Sequence, residues 1–315
     1  MIVSRADLEA ALAGLEAGCL DRRAGIHGPG THAWALGREA INFLGGPRAA
    51  LLQLAHPYVA YAIDQHSETR ADVQGRFRRT FENVFAMTMG DVDRAFFAAR
   101  RVHAIHSRIN GAIGHDVGGF PAGHRYHANE SSALLWVWAT LVDTMVQVHE
   151  LWVRQLTDRF KDQLVRDMHR FAALFAIPAA ELPADWAAFR GYVDGMLASD
   201  LLVVSPPALE MSRFLLDAPR PAVAPLFAWV RVMTAGLLPE RLRDGFQLGF
   251  GRPQRALFAA TGAALRPLYK LAPRPLRWVP AYAEARARVE GRPAPRSSRV
   301  MERLAMRGID TATHG

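Results

Sequence analysis

The chain has 315 residues, of which 50% are hydrophobic and 22% are charged, and its formal net charge at neutral pH is +8. This length and composition allow a sizeable buried core and exclude a wholly disordered chain. The single cysteine, Cys19, excludes an intrachain disulfide framework, a cysteine-rich zinc site and an iron–sulfur cluster, and it fits a reducing compartment.

Apolar residues recur every three or four positions along most of the chain, which predicts helices rather than strands. In chain order, we expect helices over residues 6–18, 33–44, 47–65, 70–88, 91–112, 130–155, 157–176, 183–197, 207–216, 222–236, 239–246, 253–270 and 276–289. Strand signals are sparse, and the only compact β-branched run, LLVVSPP, lacks a partner. The predicted fold class is therefore all-α.

Two prolines predict different local structure within the stretch 47–65. Pro47 lies at a first-turn position, where the missing N–H is tolerated. Pro57 falls inside the apolar pattern, so the helix should kink or restart there.

Positive charge is concentrated towards the C-terminus. Residues 251–310 hold thirteen Arg or Lys and four Asp or Glu, a local charge of +9, so the rest of the chain is about neutral. We expect one multi-helix domain over residues 1–290 and a basic, loosely ordered tail over residues 291–315. No nucleic-acid partner is predicted, because no recognition motif accompanies the charge.

The N-terminal stretch carries acidic residues throughout, so we expect no secretory signal. No segment reaches about 18 uncharged apolar residues, so we expect no membrane-spanning helix. The predicted location is cytoplasmic, with peripheral membrane contact left open.

The stretch RVHAIHSRIN places His103 and His106 three positions apart in a helical pattern. At about 100° per residue, Ala95 and Ala99 share the face of His106, whereas His103 lies about 60° to one side. Small residues beside an inward imidazole leave room for a large flat group, and a single histidine is the commonest proximal ligand of haem iron. The helix alone leaves core packing, a zinc site and a haem site open. Zinc is the weakest of these because the pair lacks a third ligand and the usual i, i+4 spacing.

A polar face and an apolar stripe lie side by side on the helix predicted over residues 70–88. The polar face comprises Arg76, Arg79, Thr80, Asn83 and Met87. The apolar stripe comprises Phe77, Phe81, Val84 and Phe85. Such a face could line a wet pocket or be exposed to solvent.

Three further ionisable residues lie in apolar helical stretches. We expect a structural role for His56, whose ring N–H can reach carbonyls freed by Pro57. His66 lies at a helix end, where the dipole favours a positive ring. Asp143 needs a partner inside its apolar helix, either an arginine or a histidine N–H.

An ordered series of motifs spans about residues 35–250. It runs through GREAINFLGGPRAALLQLAHPYVAYAIDQHS, GRFRRT, VHAIHSRING, LLWVWATLVDT and TAGLLPERLR. The series resembles the MpaB-type oxygenase family, which includes the catalytic domain of the rubber oxygenases, or latex clearing proteins. The resemblance implies an all-helical fold with a globin-like core and a b-type haem.

The resemblance also implies residue roles. The proximal iron ligand of the rubber oxygenases corresponds to His106, and their distal Arg-x-x-Lys-Thr motif corresponds to Arg76, Arg79 and Thr80. The lysine that can cap the iron is Arg79 in this chain, and a guanidinium stays protonated and is a poor ligand. A lysine-capped resting state is therefore not expected, and Arg79 could instead hydrogen-bond oxygen or a haem propionate.

Two further positions depart from the rubber oxygenases. The arginines that flank the iron ligand there are replaced by His103 and Asn110, which we assign to the cofactor-binding set. These changes, with the missing secretory signal, argue against polyisoprene itself as the substrate.

The predicted function is that of a haem b-dependent oxygenase that takes O₂ and an apolar, isoprenoid-like small molecule. His106 would bind the iron, and Arg76 and Thr80 would stabilise negative charge that develops on oxygen. Two alternatives stay open: a haem-binding protein without turnover, and a cofactor-free helical protein that docks on a membrane or partner through its basic C-terminal segment. A di-iron carboxylate bundle is disfavoured because paired Glu-x-x-His sequences are missing.

Overall fold

The computed structural model describes residues 1–19, 21–66 and 82–293. Up to residue 106, the helices are α1 (Arg5–Ala17), α2 (His32–Gly37), α3 (Gly46–Leu54), α4 (Pro57–His66) and α5 (Val92–His106), with 3-10 turns at Arg22–Ala24 and Ala40–Gly45. Residues 82–89 are also helical.

After α5 the chain forms a short antiparallel hairpin and then returns to helices. The elements are β1 (Asn110–Ala112), β2 (Arg125–His127), α6 (Ser131–Trp152), α7 (Asp158–Ala173), α8 (Trp186–Ala198), α9 (Pro206–Leu216), α10 (Ala224–Leu237), α11 (Glu240–Gly245), α12 (Arg252–Leu271), α13 (Arg274–Arg277) and α14 (Pro280–Val289), with 3-10 turns at Ala179–Glu181 and Pro221–Val223. The all-α prediction is confirmed, and the globin-like character of the core stays a prediction.

Helix α6 is the central element of the fold. Most of its 22 residues are buried, including Trp136 and Trp138. The indole N–H of Trp136 donates to the Leu52 carbonyl at 2.8 Å, and that of Trp138 donates to the Met168 carbonyl at 2.9 Å. These bonds satisfy two buried donors and fix α6 against α3 and α7.

By length and composition, α6 is also the one helix in the described part of the chain that could span a membrane, contrary to the expectation of none. However, 72% of its most apolar window is buried inside the protein. Its apolar surface is thus covered by neighbouring helices, as in a core helix.

A charged network crosses the middle of α6. Arg48, which is only 1% exposed, donates to Asp143 at 2.6 Å, to the Thr144 hydroxyl at 2.5 Å and to the Leu237 carbonyl at 2.9 Å. Arg190 donates to the second carboxylate oxygen of Asp143 at 2.6 Å. Of the two partners expected for Asp143, an arginine or a histidine N–H, the structure shows arginine.

The two prolines act as predicted. Pro47 lies in the first turn of α3, and the helix restarts at Pro57. Two other predicted helices are divided. The stretch 33–44 breaks into α2 and a 3-10 turn, and the stretch 276–289 divides before α14.

Other expectations fall outside the described residues. They include most of the helix predicted over 70–88 and nearly all of the basic tail predicted over 291–315.

Candidate functional site

Helix α5 positions His106. The helix begins with the Asp91 carboxylate accepting from the Arg94 N–H at 2.8 Å. Ala95 and Ala99 are buried in the main core, as the helical wheel predicts. His106 is the last residue of α5 and is half-buried. It therefore lies at the rim of the buried face rather than at its centre.

The helix predicted over 91–112 ends at His106. The N–H of Ser107 donates to the His103 carbonyl, and the N–H of Ile109 donates to the His106 carbonyl at 3.0 Å. The chain then enters β1, where Gly111 pairs with Tyr126. Strand pairing replaces the last predicted turns because a non-local partner satisfies the backbone groups there.

The ends of α4 and α5 meet on this hairpin. The His66 ring Nε2 donates to the Asn110 carbonyl at 2.7 Å. Gln65 donates to the Ala112 carbonyl at 3.0 Å and accepts from the Tyr126 hydroxyl at 2.8 Å. The side chain of Asn110 is exposed, so its contact with α4 runs through its backbone.

An aromatic cluster lies behind the hairpin. Its buried members are Tyr58, Tyr61, Ile113, Val117, Phe120, Tyr126 and Ala133, and the half-buried Ile109 packs against it. The Tyr58 hydroxyl contacts a His124 ring nitrogen at 2.7 Å, and the Tyr61 hydroxyl contacts His115 at 2.9 Å. Burial raises the pKa of Tyr126 to about 12, so this phenol is neutral at physiological pH.

His103 faces a different neighbour. Its ring Nε2 donates to the Val3 carbonyl at 3.2 Å, and its own carbonyl accepts from Asn129 at 3.3 Å. The structure thus places His103 against the N-terminal segment and the residues before α6.

His56 has the structural role expected of it, by a different contact. The ring is 3% exposed, and its Nδ1 accepts from the Tyr58 N–H at 3.3 Å instead of donating to a freed carbonyl. Burial lowers the pKa of His56 to about 4, so the ring is neutral.

The distal residues Arg76, Arg79 and Thr80 lie outside the described residues, together with Phe77 and Phe81. Of the same predicted helix, Phe85 packs against a cluster containing Trp34 and Tyr282, and Met87 is buried in the main core. These two residues are therefore packing residues, and Met87 does not belong to a polar face.

Comparison with known families gives a match. The model described as the catalytic domain of "ER-bound oxygenase mpaB/B'/Rubber oxygenase" matches residues 33–267. The chain belongs to this oxygenase family. Comparison with curated proteins and with solved structures gives no significant match.

Family membership makes the protein an oxidoreductase that uses O₂ and a substrate. The matched range begins within α2, ends within α12 and contains His106 as well as the motif Arg76, Arg79 and Thr80. The resemblance drawn from the ordered motifs is confirmed.

Across residues 1–19, 21–66 and 82–293, no three His, Cys, Asp or Glu side chains form a group that could hold a metal ion. A zinc site built on His103 and His106 therefore has no third ligand in this part of the oxygenase. A haem iron needs a single protein imidazole, so this result does not bear on haem.

The hairpin was missed at the sequence level, and with it the contacts of His66, Asn110 and Tyr126. The available signal was the glycine density between residues 111 and 123, which interrupts the helical pattern. Gly111 in particular has no space for a Cβ, which would meet the Gln65 side chain and lie 2.7 Å from the Tyr126 hydroxyl.

Proposed function

We propose that this family member is a haem b-dependent oxygenase of an apolar small molecule, with the imidazole of His106 as the proximal iron ligand. The observation that carries the proposal is the family match over residues 33–267, which includes His106. By the motif resemblance, this histidine corresponds to the iron ligand of the rubber oxygenases.

The partial burial of His106 supports the proposal. The ring is half-buried at a helix end, so it is neither packed away in the core nor fully in water. Val102 precedes it by about one turn and is partly buried, and Ile109 follows it and joins the aromatic cluster. A flat apolar ring needs such apolar walls, and its iron needs one neutral imidazole.

When bound, haem supplies the oxygen chemistry that side chains do not provide. The chain's own residues would hold and orient it. The His66–Asn110 bond and the Gln65–Tyr126 bond fix α4 and α5 on one hairpin, and this keeps the His106 backbone in place. The buried aromatic cluster behind the hairpin would help to keep water away from it.

The distal residues are assigned by resemblance. Arg76 and Thr80 would donate hydrogen bonds to oxygen where negative charge develops. Arg79 stands where the rubber oxygenases have lysine, so the resting enzyme would lack a lysine cap. His103 and Asn110 would shape the proximal side of the site by holding the backbone on either side of His106.

An apolar surface near the C-terminus supports peripheral membrane contact for a cytoplasmic enzyme. Helix α12 has no fully buried residue, and Leu271 at its end is 81% exposed. Leu268 and Leu276 are also exposed, beside the cations Lys270 and Arg274. Exposed leucines among basic residues suit an anionic lipid surface, which would also supply apolar substrates.

The absorption spectrum tests the proposal. The protein expressed with a haem supply should show a Soret band, and His106→Ala should lose or greatly alter it. His32→Ala is the matched control, because His32 is also part-buried but lies on α2 and packs against Phe160. A colourless, folded wild type, or an unchanged spectrum in His106→Ala, would contradict the proposal.

Turnover separates an oxygenase from a haem carrier. Incubation with ¹⁸O₂ and a panel of apolar alkenes should give labelled product with the wild type and none with His106→Ala. Haem binding without label in any product would favour the carrier.

A further inference from the structure

A second site lies at the other end of α6. A cavity of about 240 Å³ opens there, and its polar lining residues are Arg38, Glu39, His149, Arg154, Lys270 and Arg277. His149 is 18 residues beyond Ser131, which places it about 27 Å along the helix from the hairpin end. The volume is below the roughly 300–1,000 Å³ of pockets for drug-sized ligands, so the occupant is small.

The cavity carries an excess of positive charge. Four of its side chains are cations, and its single carboxylate, Glu39, is already engaged. Glu39 accepts from Arg38 at 3.1 Å and from the Tyr269 hydroxyl at 2.8 Å, and it pairs with Arg277 at 3.5 Å. Arg38 and Arg277 are half-buried, and Arg154 and Lys270 are exposed, so the excess of positive charge favours an anion in the cavity.

Three of the cations keep donors to spare within the described residues. Neither Arg154 nor Lys270 has a carboxylate partner there, and Arg154 only stacks over the Phe160 ring at 5.0 Å. In the same part of the chain, the Nε of Arg277 is buried without a hydrogen-bond partner. An oxyanion with several acceptor oxygens would satisfy these donors.

His149 requires a hydrogen-bond donor, whereas the cations require acceptors. The residue is 2% exposed, and its ring Nδ1 donates to the Met145 carbonyl at 2.9 Å. Because a carbonyl has no proton to give, Nδ1 must carry the ring proton, and Nε2 of the neutral ring is a bare lone pair. Among the described residues this Nε2 has no hydrogen-bond partner.

We propose that this cavity binds a phosphate group that keeps one proton, either inorganic hydrogenphosphate or a phosphomonoester bound as its monoanion. Its oxygens would accept from Arg154, Lys270 and Arg277, and its O–H would donate to Nε2 of His149. Sulfate and carboxylate offer acceptors only, and water would satisfy the histidine but would not balance the cations. The proposal does not depend on haem, since its site lies at the far end of α6.

Titration calorimetry with phosphate and sulfate tests the proton requirement. At about pH 7.5 the His149 ring is neutral, because burial lowers its pKa below the usual 6.5. The two anions then differ chiefly in the proton, and phosphate should bind about tenfold or more tightly than sulfate. Equal affinities, or no phosphate binding, would overturn the proposal.

Three variants separate the contribution of His149 from that of the cations. His149→Phe should lower phosphate affinity to the level of sulfate and leave sulfate affinity unchanged. Lys270→Gln, at an exposed residue, should weaken both anions alike and preserve their ratio. Arg252→Gln is the control, since it removes a charge at the other end of α12 and should change neither affinity. An equal loss in Arg252→Gln and Lys270→Gln would refute a specific site.

Vesicle flotation distinguishes a lipid phosphate from a free one. Leu268 and Leu271 flank Lys270 and are exposed, so a lipid headgroup could enter beside them. Retention on phosphatidic acid vesicles that is competed by inorganic phosphate assigns the site to a lipid phosphomonoester. Phosphate binding in solution without such retention assigns it to a free phosphate.

Discussion

The two ends of α6 differ in chemistry although one buried helix joins them. At the N-terminal end, the hairpin and α4 bring together tyrosines, histidines and aliphatic side chains after the end of α5. At the C-terminal end, four cations and one carboxylate surround the buried His149. The first environment suits an apolar ring and substrate, and the second suits a small anion.

This difference follows from what each histidine can still bind. His106 is half-buried at the rim of the core. His149 is buried and lines a cavity of about 240 Å³, so only a small group fits beside it. Residue type alone therefore says little about function. What a histidine can bind depends on the space and the neighbours around its ring.

The largest expected effect is at the point that joins the two ends. Asp143→Asn leaves Arg48 buried without its charged partner, which should lower the free energy of unfolding by about 3–5 kcal/mol. Urea unfolding followed by tryptophan fluorescence measures the change. Since the network crosses the middle of α6, we expect one transition in which both ends unfold together.

Asp194→Asn is the matched control for Asp143→Asn. Asp194 pairs with the same Arg190 but is exposed to solvent, so its loss should cost less than about 1 kcal/mol. If Asp143→Asn were as stable as this control, the buried network would not hold the two ends together.

A smaller effect, confined to the hairpin end, is expected for Gly111→Ala. The added Cβ would collide with the Gln65 and Tyr126 side chains, and such overpacking costs about 1–3 kcal/mol. Haem affinity should fall, whereas phosphate affinity at the other end should not change. Gly114→Ala is the control because a Cβ there meets no atom of the described residues within 4 Å.

If Gly111→Ala changed phosphate affinity as much as haem affinity, the two ends would not be separate sites. Haem titration and calorimetry on the same preparation of each variant decide this.

An effect of similar size is expected in the pH dependence that His56 gives to the free energy of unfolding. Burial lowers the pKa of His56 to about 4, against an ordinary value of 6.5. Between these values the unfolded chain binds a proton that the folded protein does not, so stability is full above pH 6.5 and is lost as the pH falls towards 4. At pH 5 this amounts to about 2 kcal/mol, from the linkage relation.

His56→Phe should therefore lose about 2 kcal/mol less than the wild type between pH 7.5 and pH 5. Burial also lowers the pKa of His27 to about 4. Because His27 is unchanged in this variant, part of the dependence of the unfolding free energy on pH remains. Urea unfolding measures the free energy of unfolding at each pH. If it changed equally with pH in the wild type and in His56→Phe, His56 would not be neutral in the folded protein.

Local rules predicted the features that depend on near neighbours in sequence. The restart at Pro57 follows from the ring that replaces an N–H, and the partner of Asp143 follows from the cost of a buried charge. The helical wheel also predicted that Ala95 and Ala99 are buried.

Features that join distant segments were not predicted. The wheel could not show that α5 ends at His106, because β1 is held by β2 and by Gln65 and His66. The cationic cavity brings together residues 38–39, 149–154 and 270–277, and no local pattern contains that proximity.

The most direct test of the central claim is chemical rescue of His106. In His106→Gly, external imidazole should restore the Soret spectrum of the wild type, because the free ring replaces the missing iron ligand. Circular dichroism confirms that the variant is folded. A wild-type spectrum in His106→Gly without imidazole, or a folded variant whose spectrum imidazole leaves unchanged, would contradict the assignment of His106 as the haem ligand.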